Sequence, residues 1–314
     1  MSAHFTRRSA VAAGLALGVS LAATTPTLAQ AATKRLSTDA EDSAGITRLQ
    51  WSAVALTAEQ YPVMKEFTEK ALGLALVFSS AEFAVFSAPD GTLFELYGPK
   101  APPAPWRTGT ASAALGLDAR NLAMAGKVLE RNGARRVSPV HVLRGAGAGG
   151  TNLRYCFFRA PDNRVYRLAQ TNADPDEQVS ESAAGAAGIK GLDFGGVSLT
   201  SEQFPRMKAF VEDGLGFSTL ILDGLGDIPE YGIFLAENRS RFELYGPAAP
   251  QLPWRTGPTS MAMGFKSFDL DKAMANLEQN GAEWVTPIFV YDNRFRFFRA
   301  PDNRIYSISE TPAT

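Results

Sequence analysis

An internal duplication limits what this chain can fold into more than any other feature. Phe94-Glu95-Leu96-Tyr97-Gly98-Pro99 returns 148 positions later as Phe242-Glu243-Leu244-Tyr245-Gly246-Pro247. At the same offset Pro105-Trp106-Arg107-Thr108-Gly109 returns as Pro253-Trp254-Arg255-Thr256-Gly257. Phe157 to Arg164 recurs from Phe297 to Arg304, now 140 positions apart, and Leu72-Gly73 matches Leu215-Gly216 at 143. Ordered blocks whose offset drifts slightly are two copies of one unit with loop insertions, and the Gly-rich stretch 144–151 is the obvious extra piece. The copies are expected over 46–171 and 189–314. Residues 172–188 between them, acidic and then rich in Ser, Ala and Gly, read as a surface linker.

Each copy divides again. Residues 50–56 suit a strand, and 58–72 suit a helix because Tyr61, Met64, Phe67 and Leu72 fall at helical spacing before Gly73, a natural helix stop. Strands are then expected at 75–79, 83–87 and 92–97, with Pro89-Asp90-Gly91 as a turn. The second half-copy repeats the order: a strand at 112–117, a helix at 119–132, then strands near 136–143, 152–159 and 164–169. The unit is β-α-β-β-β, used four times.

A β-α-β-β-β unit that ends in Pro-Asp-Gly/Asn followed by a short strand resembles the vicinal oxygen chelate superfamily, which includes glyoxalase I, bleomycin-resistance proteins and extradiol dioxygenases. The residues that carry the resemblance are 88–96, 160–168 and 300–308, together with the helix endings at Leu72-Gly73, Gly133-Ala134, Leu215-Gly216 and Gly281-Ala282. It implies an α+β chain of four modules paired into two half-open β-barrels, each with a concave face that holds a ligand. It also implies that metal-dependent members use four inward positions per barrel, commonly His or Gln on the first strands and Glu on the last.

Aligned copy by copy, those positions hold Ala53, Glu95, Ser112 and Arg167 in one barrel and Gly196, Glu243, Ser260 and Ser307 in the other. Neither set contains a histidine. The chain has two, His4 near its start and His141 in a middle strand, and its single cysteine, Cys156, rules out multi-cysteine metal sites. One carboxylate without nitrogen partners holds Zn²⁺ or Fe²⁺ poorly, so no cofactor is expected, a divalent metal with an atypical ligand set being the alternative.

Glu95 and Glu243 are therefore the candidate catalytic groups, each sharing a strand face with the tyrosine two residues on, Tyr97 or Tyr245. Three roles stand open for them. One is a satisfied carboxylate at the barrel rim, with Arg167 neutralising Glu95; another is a hydrogen-bond acceptor or general base in a ligand cup; the third is a metal ligand. Ser112, His141, Arg167 and Ser260 join the tyrosines as candidate ligand-binding residues, and His141 is either a packed ring or an acid–base partner of Glu95. Arg107 and Arg255 either pin the joint between modules or bind an anion. Arg159, Arg164, Arg299 and Arg304 flank tight turns, where solvated charge is the default.

The remaining signals concern location and partners. Arg7-Arg8, an uncharged run rich in Ala, Leu, Val and Gly over 9–25, and Ala29-Gln30-Ala31 have the layout of an export signal of twin-arginine type over 1–31, with 32–45 as a mature N-terminal segment. Losing it would move the formal charge from −1 to −3. No basic block marks a nucleic-acid partner, and no later apolar run approaches the roughly 20 residues that span a bilayer, so stable membrane insertion after cleavage is not expected. The expected partner is a small organic molecule, bound in a periplasmic or extracellular setting. A metal-dependent lyase, isomerase or dioxygenase and a non-catalytic structural protein are the rival readings, and the oligomeric state is open.

Overall fold

The computed structural model describes residues 45–108, 112–146, 151–171, 186–220, 228–256, 260–291 and 293–310. The export signal expected at 1–31, most of the linker and the tip of the Gly-rich loop lie outside the described residues. Among those described, no helix is long and apolar enough to cross a membrane.

Four modules follow in chain order. The first runs β1 (Ile46–Ala55), α1 (Gln60–Glu66, continued by a π-helical turn over Phe67–Leu72), β2 (Ala75–Ser79), β3 (Phe83–Ser87) and β4 (Leu93–Tyr97). The second holds β5 (Ala113–Ala119), α2 (Leu122–Arg131), β6 (Arg135–Arg136), β7 (His141–Leu143), β8 (Leu153–Arg159) and β9 (Val165–Gln170). The third holds β10 (Ile189–Ser198), α3 (Gln203–Ala209, with a π-helical turn over Phe210–Gly214), β11 (Ser218–Thr219), β12 (Tyr231–Leu235) and β13 (Arg241–Tyr245). The fourth holds β14 (Met261–Ser267), α4 (Leu270–Gln279), β15 (Glu283–Trp284), β16 (Phe289–Val290), β17 (Arg294–Arg299) and β18 (Ile305–Glu310).

Local chemistry explains the boundaries. Asn121 and Asp269 accept hydrogen bonds from the backbone N–H three residues on, at Met124 and Lys272, and so cap α2 and α4. Gly73 leaves the first helix with φ +73°, a left-handed conformation that costs a glycine little. In the β3–β4 turn the same conformation falls on Gly91, and in the β8–β9 and β17–β18 turns on Asn163 and Asn303.

The modules pair across the duplication, not within it. Sheet A runs β15-β17-β18-β14-β1-β4-β3-β2 and joins module one to module four; sheet B runs β11-β12-β13-β10-β5-β9-β8-β6 and joins module two to module three. The central contacts are antiparallel, with Ala53 opposite Ala262 in sheet A and Gly196 opposite Ala114 in sheet B. The copies at 46–171 and 189–314 are thus not the units that share a sheet. The four positions expected in each barrel are redistributed: Glu95 sits with Ser307 in sheet A, and Glu243 with Arg167 in sheet B.

One large apolar core lies between the convex faces and the helices, drawing Phe86, Phe94, Leu115, Leu192, Phe242 and Phe265 from both sheets. The concave faces carry smaller clusters of their own. Two arginines expected in solvent prove to be buried fasteners. Arg164 pairs with the fully buried Asp162 at 3.0 Å and donates to the Ala55 carbonyl of the other sheet. Arg304 pairs with Asp302 at 2.7 Å and donates to the Ser112 and Ser198 carbonyls at 3.0 and 2.6 Å. A guanidinium suits this work because its fan of donors serves a carboxylate and a distant carbonyl together.

Candidate functional site

Each concave face is a bowl built from equivalent positions, and the two have diverged in chemistry. In bowl B, on sheet B, Glu243 is buried at the floor. One of its oxygens accepts from Arg167 at 3.0 Å; the other accepts from Tyr231 at 3.0 Å and from Tyr245. Arg167 also pairs with Asp193 at 3.0 Å, and Arg241 approaches the same Asp193 at 3.5 Å. The Arg167 guanidinium lies over the Phe194 ring, 3.7 Å from its centroid, with the Tyr155 ring at 5.7 Å. Burial works against the charge of Arg167, but Asp193 and Glu243 outweigh it and hold its pKa up. Burial, and then Arg167 itself, draw the pKa of Arg241 down. Phe194 can fill this bowl because Gly116 and Gly196 lie beneath it; a Cβ on either would come within 2.5 Å of its atoms.

In bowl A, on sheet A, the carboxyl of Glu95 has neutral hydrogen-bond partners only. Its phenolic neighbour Tyr97 donates to it at 2.9 Å, and the Trp51 indole also bonds to it. Among the described residues no cation pairs with it. The three charged groups that accompany Glu243 all have uncharged counterparts here: Ser307 stands for Arg167, Leu93 for Arg241 and Gln50 for Asp193. The wall is aromatic. Trp51 packs edge-on to Trp106 and Phe297 at 6.2 and 5.9 Å, Tyr97 meets Trp106 at 5.1 Å, and Phe83 lies 4.7 Å from Tyr97. Protein surrounds the carboxyl, yet Glu95, Phe83, Phe289 and Phe295 all keep partial contact with solvent. Glu95 thus lies on the floor of a bowl with a part-exposed aromatic rim, as Glu243 does below Tyr155 and Tyr231. Burial without a cation pushes the Glu95 carboxyl from its ordinary 4.5 to about 7, against the opposing pull of its Tyr97 and Trp51 hydrogen bonds.

The residues singled out from sequence divide between the bowls. Glu95 and Tyr97 lie in bowl A, and Ser260 stands just before β14, where its backbone carbonyl accepts from the Ala55 N–H at 2.9 Å. Glu243, Tyr245, Arg167 and His141 belong to bowl B, and Ser112 donates to the Arg255 carbonyl at 2.7 Å. Arg167 does not neutralise Glu95, because strand pairing carries it to the other sheet. His141 is no partner of Glu95 for the same reason; its ring stacks on Tyr155 at 5.1 Å, and burial lowers its pKa. Arg107 and Arg255 pin the turn after β4 and β13, donating to the Gly98 and Ala101 carbonyls and to the Gly246 and Ala249 carbonyls. Trp51, Phe83, Tyr155, Asp193, Tyr231 and Arg241 were missed. The offsets between the copies could have found them, since Trp51 aligns with Phe194 and Phe83 with Tyr231.

A metal of the kind the fold commonly carries does not suit either donor set. Bowl A offers Ala53, Glu95 and Ser307, and bowl B offers Gly196 and a Glu243 already engaged by Arg167. Among the described residues no three His, Cys, Asp or Glu side chains gather in a group that could hold an ion. A guanidinium at a ligand position repels a cation, and one carboxyl with a phenol and a hydroxyl is a weak set for Zn²⁺ or Fe²⁺.

No known protein-family profile matches the sequence, and no curated protein matches it closely enough to count as a relative. Solved structures do match. A proposed dioxygenase from Bacillus subtilis superposes with a TM-score of 0.58 at 15% identity, over 85% of this chain and 86% of that one. Glyoxalase I from Zea mays superposes with a TM-score of 0.54 at 12% identity, over 84% of this chain and 92% of that one. At such identities the likeness speaks for architecture alone: the chain has the four-module, two-sheet fold of the glyoxalase and dioxygenase proteins, the vicinal oxygen chelate fold.

Proposed function

We propose that this chain is an exported protein that binds a small organic molecule in bowl A, with Glu95 as its polar anchor and no His-ligated metal. The observation that carries the reading is the contrast between the bowls. Glu243 is fully engaged by Arg167, Tyr231 and Tyr245, whereas Glu95, part-exposed in an aromatic bowl, has no cationic partner among the described residues. An unneutralised carboxyl held among aromatic rings is costly for the fold and useful to a ligand. The export reading rests on the leader at 1–31.

The chemistry such a site can supply is proton transfer. A carboxyl poised near neutrality accepts a proton from a bound molecule and returns it with little energetic penalty either way, and the Tyr97 hydroxyl steadies the ionised form. The test is a screen of aromatic fragments by ligand-observed NMR in the presence of a chelator, with metal analysis of the same preparation. Fragments should bind and be lost in Ser307→Arg, which plants a side chain in bowl A. Fragments that persist in that variant, or no binding at all, refute the site. Binding that requires added metal, or more than about half an equivalent of Fe, Mn or Zn per chain, refutes the metal-free reading.

A further inference from the structure

The duplicated bowls provide an internal comparison from which the charge of the ligand follows, given the binding reading above. In bowl B the frame already holds an organic cation: the guanidinium of Arg167, laid on the Phe194 ring at 3.7 Å, near Tyr155 at 5.7 Å, and bonded to Glu243 at 3.0 Å. Bowl A repeats the frame position by position. Trp51 stands for Phe194, Phe295 for Tyr155, Phe83 for Tyr231, Tyr97 for Tyr245 and Glu95 for Glu243. Strand register confirms the match: Arg167 lies opposite Gly116 and Phe157, and Ser307 lies opposite Gly264 and Phe297. The cation is gone, and with it Asp193 and Arg241, whose places the uncharged Gln50 and Leu93 take, so that Glu95 is the one carboxylate of the frame that remains.

From this juxtaposition we infer that bowl A binds a small organic cation, a guanidinium or ammonium on an apolar body, which takes the place that the Arg167 head group takes in bowl B. Two interactions recognise it. The ring faces attract a desolvated cation, an indole more strongly than the phenyl it replaces. The carboxylate supplies charge-assisted hydrogen bonds. The groups around that carboxyl bring no competing charge: Ala53 and Val85 flank it on the neighbouring strands, Tyr97 and the Trp51 indole bond to it as neutral donors, and Arg107, 6.0 Å from the Tyr97 ring centroid, is occupied by the Gly98 and Ala101 carbonyls. A bound cation favours the ionised carboxyl, so binding releases a proton wherever Glu95 was protonated.

The test compares benzylguanidinium with benzylurea, its neutral isostere, by calorimetry and tryptophan fluorescence at pH 6, 7 and 8. The wild-type chain should bind the cation at least tenfold more tightly than the urea, with affinity falling as the pH drops below about 7 and a proton released on binding. Glu95→Gln should abolish the preference, and Ser307→Arg, which supplies the cation from the chain itself, should abolish binding; far-UV circular dichroism reports that both variants fold. Equal binding of the two probes, with loss in Ser307→Arg, overturns the cation inference and leaves the bowl a neutral-ligand site. Cation binding that survives in both variants places the site elsewhere and overturns it. Binding of neither probe overturns it too, and the fragment screen then decides separately whether bowl A binds anything.

Discussion

Replacing Glu95 by Gln should stabilise the ligand-free protein, and by an amount that depends on pH. The folded chain holds the Glu95 proton to about pH 7, whereas an unfolded glutamate releases it near 4.5. Between those values the native state binds more protons than the unfolded one, so this group's contribution to stability falls as pH rises through the window and levels off above it. At about 1.4 kcal/mol per pH unit of displacement, the loss approaches about 3 kcal/mol at pH 8 and vanishes below pH 4.5. Glutamine keeps an acceptor for the Tyr97 hydroxyl and never ionises, so it escapes the loss. Urea denaturation of both proteins at pH 5, 6, 7 and 8 gives the difference directly. The variant should gain little at pH 5 and about 2–4 kcal/mol at pH 8. A difference that does not change with pH, or a variant less stable than wild type at pH 8, would show that Glu95 has a neutralising partner and would remove the basis of the binding proposal.

Other outcomes follow from the same contacts. Arg167→Met should destabilise the fold by about 3–5 kcal/mol, because it leaves the buried Glu243 with tyrosine donors but no counter-charge and Asp193 with only the more distant Arg241; urea midpoints measure it, and a change under about 1 kcal/mol refutes the ion-pair geometry. Arg304→Met should cost about 3 kcal/mol by urea midpoint, since it releases two carbonyls of the other sheet and takes the counter-charge from the buried Asp302, which keeps only neutral donors such as the Tyr306 hydroxyl. Tyr97→Phe removes a hydrogen bond that favours the ionised Glu95, so the carboxyl should titrate higher than in wild type when followed by carbon-13 NMR; a lower midpoint contradicts the assignment.

Much of the local structure was legible because short-range chemistry dictates it. Tyr61, Met64, Phe67 and Leu72 at helical spacing gave the first helix, although its last turn widens to π-helical geometry that no sequence pattern announced. Alternation along Phe94-Glu95-Leu96-Tyr97 placed Glu95 and Tyr97 on one face, and their side chains meet at 2.9 Å. The buried roles of Arg164 and Arg304 were not legible, since the carbonyls they reach belong to other modules and the turns beside them look like ordinary surface.

The repeat by itself determined four β-α-β-β-β modules, two carboxyl–tyrosine strand ends and the lack of histidines at the cup positions. Which modules share a sheet was decided only in three dimensions. The four first strands, β1, β5, β10 and β14, carry few charges, and their alternation is satisfied by any antiparallel partner of matching register. Packing selected β1 with β14 and β10 with β5. That choice sent Arg167 to Glu243 and left Glu95 without a counter-charge among the described residues. Two identical Glu-Leu-Tyr-Gly-Pro segments thereby became one ion-paired bowl and one aromatic bowl whose carboxyl has no counter-charge among the described residues.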